Sequence, residues 1–245
     1  VDETGTLWAW GSNQAGQLGT ETQETSTDLE GNPIPYASQP LAVMEDVVSA
    51  SAGADFTVAL KADGTLWTWG GNDEGQLGTG TTEGSTTPVQ VLDQVTAVVA
   101  GDYHVAALRT DGTLWTWGDN LYGQLGDGTY TSRSTPAQVM EGVTTVAAGV
   151  GATAAIRTDS TLWTWGDNLF GQLGDGTQDS RPTPQQILTD VSAVNLGGYH
   201  AAAIRTDGTL WMWGSNIDGQ LGTGQATEVL QTQPIQVPLN GAVLA

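Results

Sequence analysis

The sequence predicts an all-β repeat fold, a β-propeller, on three observations. The pattern TLWxWG occurs five times, at 6–11, 65–70, 113–118, 161–166 and 209–214. The tetrapeptide GQLG follows each copy, at 16–19, 75–78, 123–126, 171–174 and 219–222. The step from Leu7 to Leu66 is 59 residues, and each later step, to Leu114, Leu162 and Leu210, is 48. A period of this size marks arrayed supersecondary units, none of which can bury its apolar face alone. All ten tryptophans fall within the five copies, so the repeat and the core coincide.

One full period, residues 95–142, shows how the unit is built. VTAVVA (95–100) is rich in β-branched and small apolar residues and reads as a first strand. HVAALR (104–109) reads as a second. Asp111-Gly112 then supplies two residues that tolerate positive φ, as a tight hairpin turn requires. TLWTWG (113–118) is the returning third strand. Side chains alternate along it, so Trp115 and Trp117 share one face while Leu114 and Thr116 take the other. A glycine-rich connection over 118–128 carries GQLG. PAQV (136–139) opens on proline, which has no N–H for a ladder and belongs at a strand start or sheet edge. No segment of ten or more residues has helical spacing.

Four antiparallel strands repeated about an axis make a propeller blade. Blades pack face to face, which accounts for runs such as AALR and AAIR that do not alternate cleanly. Trp67, Trp69, Trp115, Trp117, Trp163, Trp165, Trp211 and Trp213 are expected to fill the space between blades, each able to bury roughly 150–250 Å². On that reading Trp115 and Trp163 are largely buried. Third strands number five, as do the proline-led fourth strands PLAV (40–43), PVQV (88–91), PAQV, PQQI (184–187) and PIQV (234–237). First and second strands number four each, with GAVLA (241–245) a candidate for one more first strand. About five four-stranded blades follow, one incomplete because no second strand precedes Gly5-Thr6. The chain reads as one domain over 1–245, with repeats beginning near 6, 65, 113, 161 and 209. Either a strand from another molecule or further blades of a longer protein would complete the unfinished blade.

The recurring pattern AG-x-x-H-x-x-AL-R-x-DG-x-L-W-x-WG-x-N-x-x-GQLG-x-G resembles the repeat of the regulator of chromosome condensation (RCC1) family, over nearly the whole chain. WD40 repeats fit less well, because the dipeptide here is Trp-Gly and no Trp-Asp occurs. Kelch repeats also fit less well, since a recurring Gly-Gly pair is absent. The resemblance implies a propeller, usually of seven blades, so five repeats leave open a place in a larger ring. The family's founding member catalyses nucleotide exchange on a small GTPase and docks on chromatin; the acidic composition here, and the lack of a wedge-like insertion within a blade, support neither. A plant ultraviolet receptor of the family uses a G-W-R-H-T motif. The matching stretches here, GADFT, GDYHV, GVGAT and GGYHA, hold neither Trp nor Arg. A bacterial β-lactamase inhibitor of the family grips its target with loop aromatics, and that use fits this sequence best in kind.

Composition narrows the partners. There are 27 acidic and six basic residues, a formal charge of −21. Such a surface argues against nucleic acid, whose affinity rests on Lys and Arg meeting phosphates, and against anionic membranes. No apolar run is long enough for membrane insertion by a helix. Lys61, Arg109, Arg157 and Arg205 end the second strands and are expected to pair with acids or cover Trp faces; Arg133 and Arg181 precede the fourth strands. With no cysteine there is neither disulfide nor thiol chemistry. The Thr-, Gly- and Asp-rich, Lys-poor composition suggests a secreted bacterial protein, extracellular or at the cell surface.

Candidate sites are few. Residues 20–39, the extra length of the first period, read as an extended, solvated loop carrying Glu21, Glu24, Asp28 and Glu30. Those acids depart from D-x-[DN]-x-[DN]-G spacing, so no metal or other cofactor is expected, calcium being an option that no motif supports. Asp119-Asn120 and Asp167-Asn168, like Asp127-Gly128 and Asp175-Gly176, read as loop formers. His104 and His200 share one repeat position, which Phe56 and Ala152 fill elsewhere. They lie two blades apart, read first as packing residues, and stand as binding candidates because Tyr103 and Tyr199 adjoin them. Within N-x-x-G the frame is kept while the pair varies: Gln14-Ala15, Asp73-Glu74, Leu121-Tyr122, Leu169-Phe170, Ile217-Asp218. A scaffold that varies at one spot displays a surface there, and Tyr122 and Phe170 are aromatics at that spot. The expected function is a non-enzymatic protein-interaction or self-assembly scaffold; the alternative is a carbohydrate-binding, lectin-like propeller.

Overall fold

The computed structural model describes residues 1–22 and 24–238; the candidate strand GAVLA lies outside them. Among the described residues every regular element is a strand. The first sheet holds β1 (Leu7–Ser12), β2 (Glu24–Thr27) and β3 (Pro33–Met44) in the order β1-β3-β2. The second holds β4 (Val47–Ala52), β5 (Phe56–Lys61), β6 (Leu66–Gly70) and β7 (Ser85–Leu92). In the third are β8 (Val95–Ala100), β9 (His104–Arg109), β10 (Leu114–Gly118) and β11 (Arg133–Met140). The fourth has β12 (Val143–Ala148), β13 (Ala152–Arg157), β14 (Leu162–Gly166) and β15 (Arg181–Leu188). The fifth has β16 (Val191–Leu196), β17 (His200–Arg205), β18 (Leu210–Asn216) and β19 (Thr227–Gln236). The last four sheets are antiparallel meanders in chain order, and the first strands of neighbouring sheets lie against one another.

Local chemistry sets the register of each meander. Asp111 Oδ1 accepts the Thr113 N–H (3.0 Å) and hydroxyl (2.6 Å), and Gly112 sits at φ +78°, so the hairpin closes on one residue pairing. From there Leu114 faces Leu108, Trp115 faces Ala107 and Gly118 faces His104. Sheets two, four and five repeat this register. The fourth strand joins with irregularities between Leu114 and Trp115 and between Thr116 and Gly118, which lets the proline-led strand lie at the edge.

The stretch at 20–39 is not the solvated loop that its composition suggests. β2 pairs with the start of β3, from Glu24 opposite Tyr36 to Thr27 opposite Pro33. The turn closes on Asp28, whose Oδ1 accepts the N–H groups of Glu30 and Asn32. β3 is long enough to hold β1 with one half and β2 with the other, which is how the prolines are accommodated.

The joint between sheets explains both signatures. Trp117 is fully buried against Val58, Leu60, Leu66 and Leu77 of the preceding sheet. Its Nε1–H donates to the Gln76 carbonyl (2.9 Å). Leu114 and Leu108, on the other face, pack with Val143, Val146 and Trp165 of the following sheet. Trp69, Trp165 and Trp213 repeat the bond to Gln17, Gln124 and Gln172 at 3.0, 2.9 and 2.8 Å. The last glycine of GQLG is the seat for the ring. A Cβ on Gly126, at φ +74°, would lie 2.6 Å from Trp165 Nε1. Gly126→Ala should therefore displace Trp165 and strain the backbone, costing about 2 kcal/mol in a urea unfolding titration. An unchanged midpoint would refute this seat.

The other tryptophan of each pair corrects the sequence reading. Trp115 and Trp163, like Trp67 and Trp211, are half-buried rather than largely buried. They lie nearer the hairpin end of the strand, where no GQLG loop reaches. Each Nε1–H instead donates to the threonine two residues before it, Thr113 for Trp115 at 2.9 Å. Arg109, Arg157 and Arg205 cover the rings of Trp115, Trp163 and Trp211 at 5.3, 5.8 and 4.4 Å from the centroids. Lys61 pairs with Asp46 at 3.8 Å.

Candidate functional site

In each meander the connection from first to second strand and the loop after the third strand emerge at the same edge of the sheet. That edge carries the variable pairs. Its frame is built from buried amides. Asn120 and Gln124 are essentially inaccessible. Asn120 Oδ1 accepts the Leu125 N–H (3.0 Å), and its Nδ2 donates to the carbonyls of Thr129 (3.0 Å) and Thr131 (3.2 Å). Gln124 Oε1 accepts the Tyr122 N–H (2.9 Å), and its Nε2 donates to Asp119 Oδ2 (2.6 Å). Asp119 Oδ1 in turn accepts the Leu121 N–H (3.0 Å). Asn168, Gln172 and Asp167 hold the next loop with the same set of bonds. The side-chain amides of Asn120 and Gln124, and of Asn168 and Gln172, are committed to the loop, so Leu121 and Tyr122, and then Leu169 and Phe170, face outward on a rigid support.

The structure pairs the candidate aromatics across the joint rather than along equivalent positions. Phe170 meets Tyr199 of the following sheet, ring centroids 4.5 Å apart and tilted by 47°. Tyr122 reaches over Gly151 at the corresponding joint, its Cδ2 3.5 Å from where a Cβ would stand. Tyr103 is exposed on the same edge. Leu121, Leu169 and Ile217, the other halves of the variable pairs, are more than half exposed. Val150, exposed beside Gly198, joins them and was not singled out in the sequence, because a valine in GVGAT reads as ordinary strand composition. Together these side chains form an apolar ridge along one edge of sheets three to five.

The rim is acidic. Asp73, Glu74, Asp102, Asp119, Asp167 and Asp218 lie in these loops. Burial pushes the Asp102 carboxyl up from its ordinary value. The two arginines at this edge are neutralised locally: Arg133 pairs with Asp127 at 2.9 Å, and Arg181 pairs with Asp175. Burial raises the pKa values of Asp127 and Asp175, but hydrogen bonds from Thr129 and Thr177 and the paired guanidinium groups outweigh it, leaving both carboxyls below the ordinary range.

His104 does not belong to this surface. It is fully buried, and its Nε2 lies 2.9 Å from Thr153 Oγ1. The Thr153 hydroxyl proton is committed to the Gln124 carbonyl (2.8 Å), so the imidazole carries its hydrogen on Nε2 and donates. Nδ1 finds no partner among the protein atoms. His200 is partly exposed. Equal repeat positions thus differ in burial. Among the described residues no three His, Asp or Glu side chains converge in a way that would hold a metal ion.

The family model for the RCC1-like domain matches residues 1–244. The human E3 ubiquitin-protein ligase HERC2 is 35% identical over 83 residues, 34% of this chain and 2% of that protein. The regulator of chromosome condensation of Xenopus laevis is 38% identical over 81 residues, 32% of this chain and 17% of that protein. The crystal structure of human WBSCR16 superposes with a TM-score of 0.82 at 26% identity, covering 100% of this chain and 65% of that one. Yeast RCC1 (Prp20), solved bound to Kap60, superposes at 0.74 with 20% identity over 98% of this chain and 72% of that one, a likeness of fold. The chain therefore spans a small part of these curated relatives and about two thirds of the WBSCR16 structure.

Proposed function

Because this chain belongs to the family of RCC1-like β-propeller domains, we propose that it serves as a non-enzymatic protein-binding platform whose contact surface is the apolar ridge. The observation that carries this reading is the Phe170–Tyr199 pair, continued by Tyr122, Leu121, Leu169 and Ile217 on loops held by the buried amides Asn120, Asn168 and Asn216. A preorganised aromatic surface loses little conformational freedom on binding. The rim and the formal charge of −21 select a partner segment bearing Lys or Arg together with apolar side chains. Such a partner would place cations over Tyr122, Phe170 and Tyr199. The same charge disfavours nucleic acid. Prp20, of the same fold, is described as bound to Kap60 and as binding Gsp1p and histones, which supports protein contact as a use of the scaffold. The Lys-poor composition supports an extracellular or cell-surface location in a bacterium.

A peptide array probed with this chain at low and high salt tests the reading. Ligands should be rich in Lys or Arg with aromatic or aliphatic neighbours, and weaken as salt rises. A Tyr122→Ala, Phe170→Ala double variant should lose about 10–100-fold in affinity with an unchanged melting curve. Unaltered binding would refute the ridge. A glycan-array signal abolished by Tyr122→Ala would instead establish the carbohydrate-binding alternative.

A further inference from the structure

The joint between sheets four and five departs from the repeat along its edge strands. β15 and β19, the fourth strands of two complete sheets, flank a cleft of about 420 Å³. Asp175, Arg181, Gln185, Gln186, Ile187 and Gln233 line it. Main chain fixes its walls. The Gly176 N–H donates to the Thr232 carbonyl (2.8 Å), as the Gly128 N–H does to the Pro182 carbonyl (2.8 Å) one joint earlier. The backbone frame is thus that of the preceding joint, and the side chains within it differ.

Three departures each leave an amide free. Gln185 lies opposite Thr164, whereas Val89, Ala137 and Ile235 hold the corresponding place opposite Thr68, Thr116 and Met212. Gln233 precedes the strand proline, where sheets two to four have Thr87, Thr135 and Thr183. Gln186 matches Gln90 and Gln138 but lacks their partner. Gln90 Nε2 donates to Asp93 (2.7 Å) and Gln138 Nε2 to Glu141 (3.0 Å). Three residues on from Gln186 stands Thr189, whose hydroxyl bonds to Asp190 (2.9 Å). Among the described residues the side-chain amides of Gln185, Gln186 and Gln233 have no hydrogen-bond partner. Arg181 differs from Arg133 in the same sense. Arg133 gives Nη2 to Asp127, whereas Arg181 gives Nε to Asp175 and, among the described residues, keeps both terminal nitrogens unbonded.

The lining selects its ligand. Asp175 is saturated: Oδ1 accepts the Thr177 N–H (2.9 Å), the Thr177 hydroxyl (2.7 Å) and the Asn168 amide (3.1 Å), and Oδ2 accepts Arg181. A cation therefore finds no free carboxylate. The arginine and the aspartate cancel, so the cleft carries no net charge, and a chain of formal charge −21 repels an anion. Three primary amides remain, each able to donate and to accept, with two guanidinium nitrogens that only donate. We propose that this cleft binds a neutral saccharide. Its vicinal hydroxyls would pair with Gln185, Gln186 and Gln233, and a ring or glycosidic oxygen would accept from Arg181. A hydroxyl both donates and accepts, so it satisfies an amide that a purely donating or purely accepting ligand leaves half unpaired. Ile187 and Pro234 offer apolar surface to the C–H face of the sugar ring. The volume falls within the roughly 300–1,000 Å³ of small-ligand sites.

An array of neutral and uronic-acid-bearing glycans, probed with the full chain, tests the proposal. Neutral glycans should be retained, with a signal that does not fall as salt rises. One variant restores the residues of the neighbouring joints: Gln185→Ala, Thr189→Glu and Gln233→Thr together. It should bind the retained glycan at least about tenfold more weakly in isothermal titration, with an unchanged melting curve. Gln185→Ala alone, which should weaken binding severalfold, serves if the triple variant folds poorly. The Tyr122→Ala, Phe170→Ala double variant should bind the glycan as the native chain does. Retention of acidic glycans alone, no retained glycan, or equal binding by the triple variant would overturn the proposal. So would loss of the signal in the Tyr122→Ala, Phe170→Ala variant, which would move the sugar to the ridge. Cleft and ridge share no residue, so peptide binding at the ridge stands or falls separately.

Discussion

Trp117→Ala should lower the free energy of unfolding by about 3–5 kcal/mol in a urea titration. The ring is inaccessible to solvent, fills the joint between sheets two and three, and anchors through Nε1–H to the Gln76 carbonyl. Truncation leaves a cavity that rigid strands cannot collapse to fill, and strips a buried carbonyl of its donor. Trp115→Ala, on the same face two residues away, should cost only about 1–2 kcal/mol, because that ring is half-buried and partly covered by Arg109. The difference between the two variants is the informative quantity. Equal costs would mean that the joint is not centred on the second tryptophan of each pair.

Acid stability should hinge on His104. Full burial holds this imidazole neutral and lowers its pKa from 6.5 to about 4, with the Asp119 carboxylate opposing the shift. In the unfolded chain the same ring takes up a proton as pH falls below about 6.5. Between about pH 6.5 and 4 the unfolded state therefore binds more protons than the folded one, and stability declines as the pH falls through that window. The full contribution is present above the unfolded value, and its loss is complete below the folded one. A separation of this size corresponds to about 3 kcal/mol. His104→Phe should flatten the decline, as measured by unfolding titrations at several pH values. Phenylalanine is the residue at the equivalent position in sheet two, where Phe56 is 1% exposed. The variant should sacrifice about 1 kcal/mol at neutral pH through loss of the bond to Thr153. An undiminished slope in His104→Phe would show that other groups control acid unfolding.

Much of the fold is legible in the sequence because its determinants are local. The Asp-Gly turn at 111–112, the alternation of Trp115 and Trp117 with Leu114 and Thr116, and the proline that opens each fourth strand all act within about 30 residues. They specify one meander, and repetition specifies the rest. The exposure of Leu121, Tyr122, Leu169, Phe170 and Ile217 in the N-x-x-G pairs is legible for a related reason: a constant frame around a changing pair marks residues that the frame does not need. Buried Asn120 and Gln124 are that frame; Asn120 reads in sequence as a loop former, but the burial of the two amides is decided by the loop folding over them.

What the tertiary structure alone decides concerns neighbours. GQLG reads as a glycine-rich connection until the indole of the next sheet is seen resting on its final glycine and bonding to its glutamine carbonyl. Tyr199 reads in sequence as the counterpart of Tyr103 beside a histidine, and only the packing of sheet five on sheet four brings it 4.5 Å from Phe170. His104 and His200 occupy one repeat position, yet one is sealed and the other partly open. The clearest case is the tryptophan pair itself. Trp115 and Trp117 share one face of β10, yet Trp115 is half-buried and Trp117 is inaccessible. A strand's sequence determines which face its side chains take. Burial along that face depends on the preceding sheet, whose GQLG carbonyl reaches the second tryptophan of the pair and leaves the first to a threonine hydroxyl and an arginine.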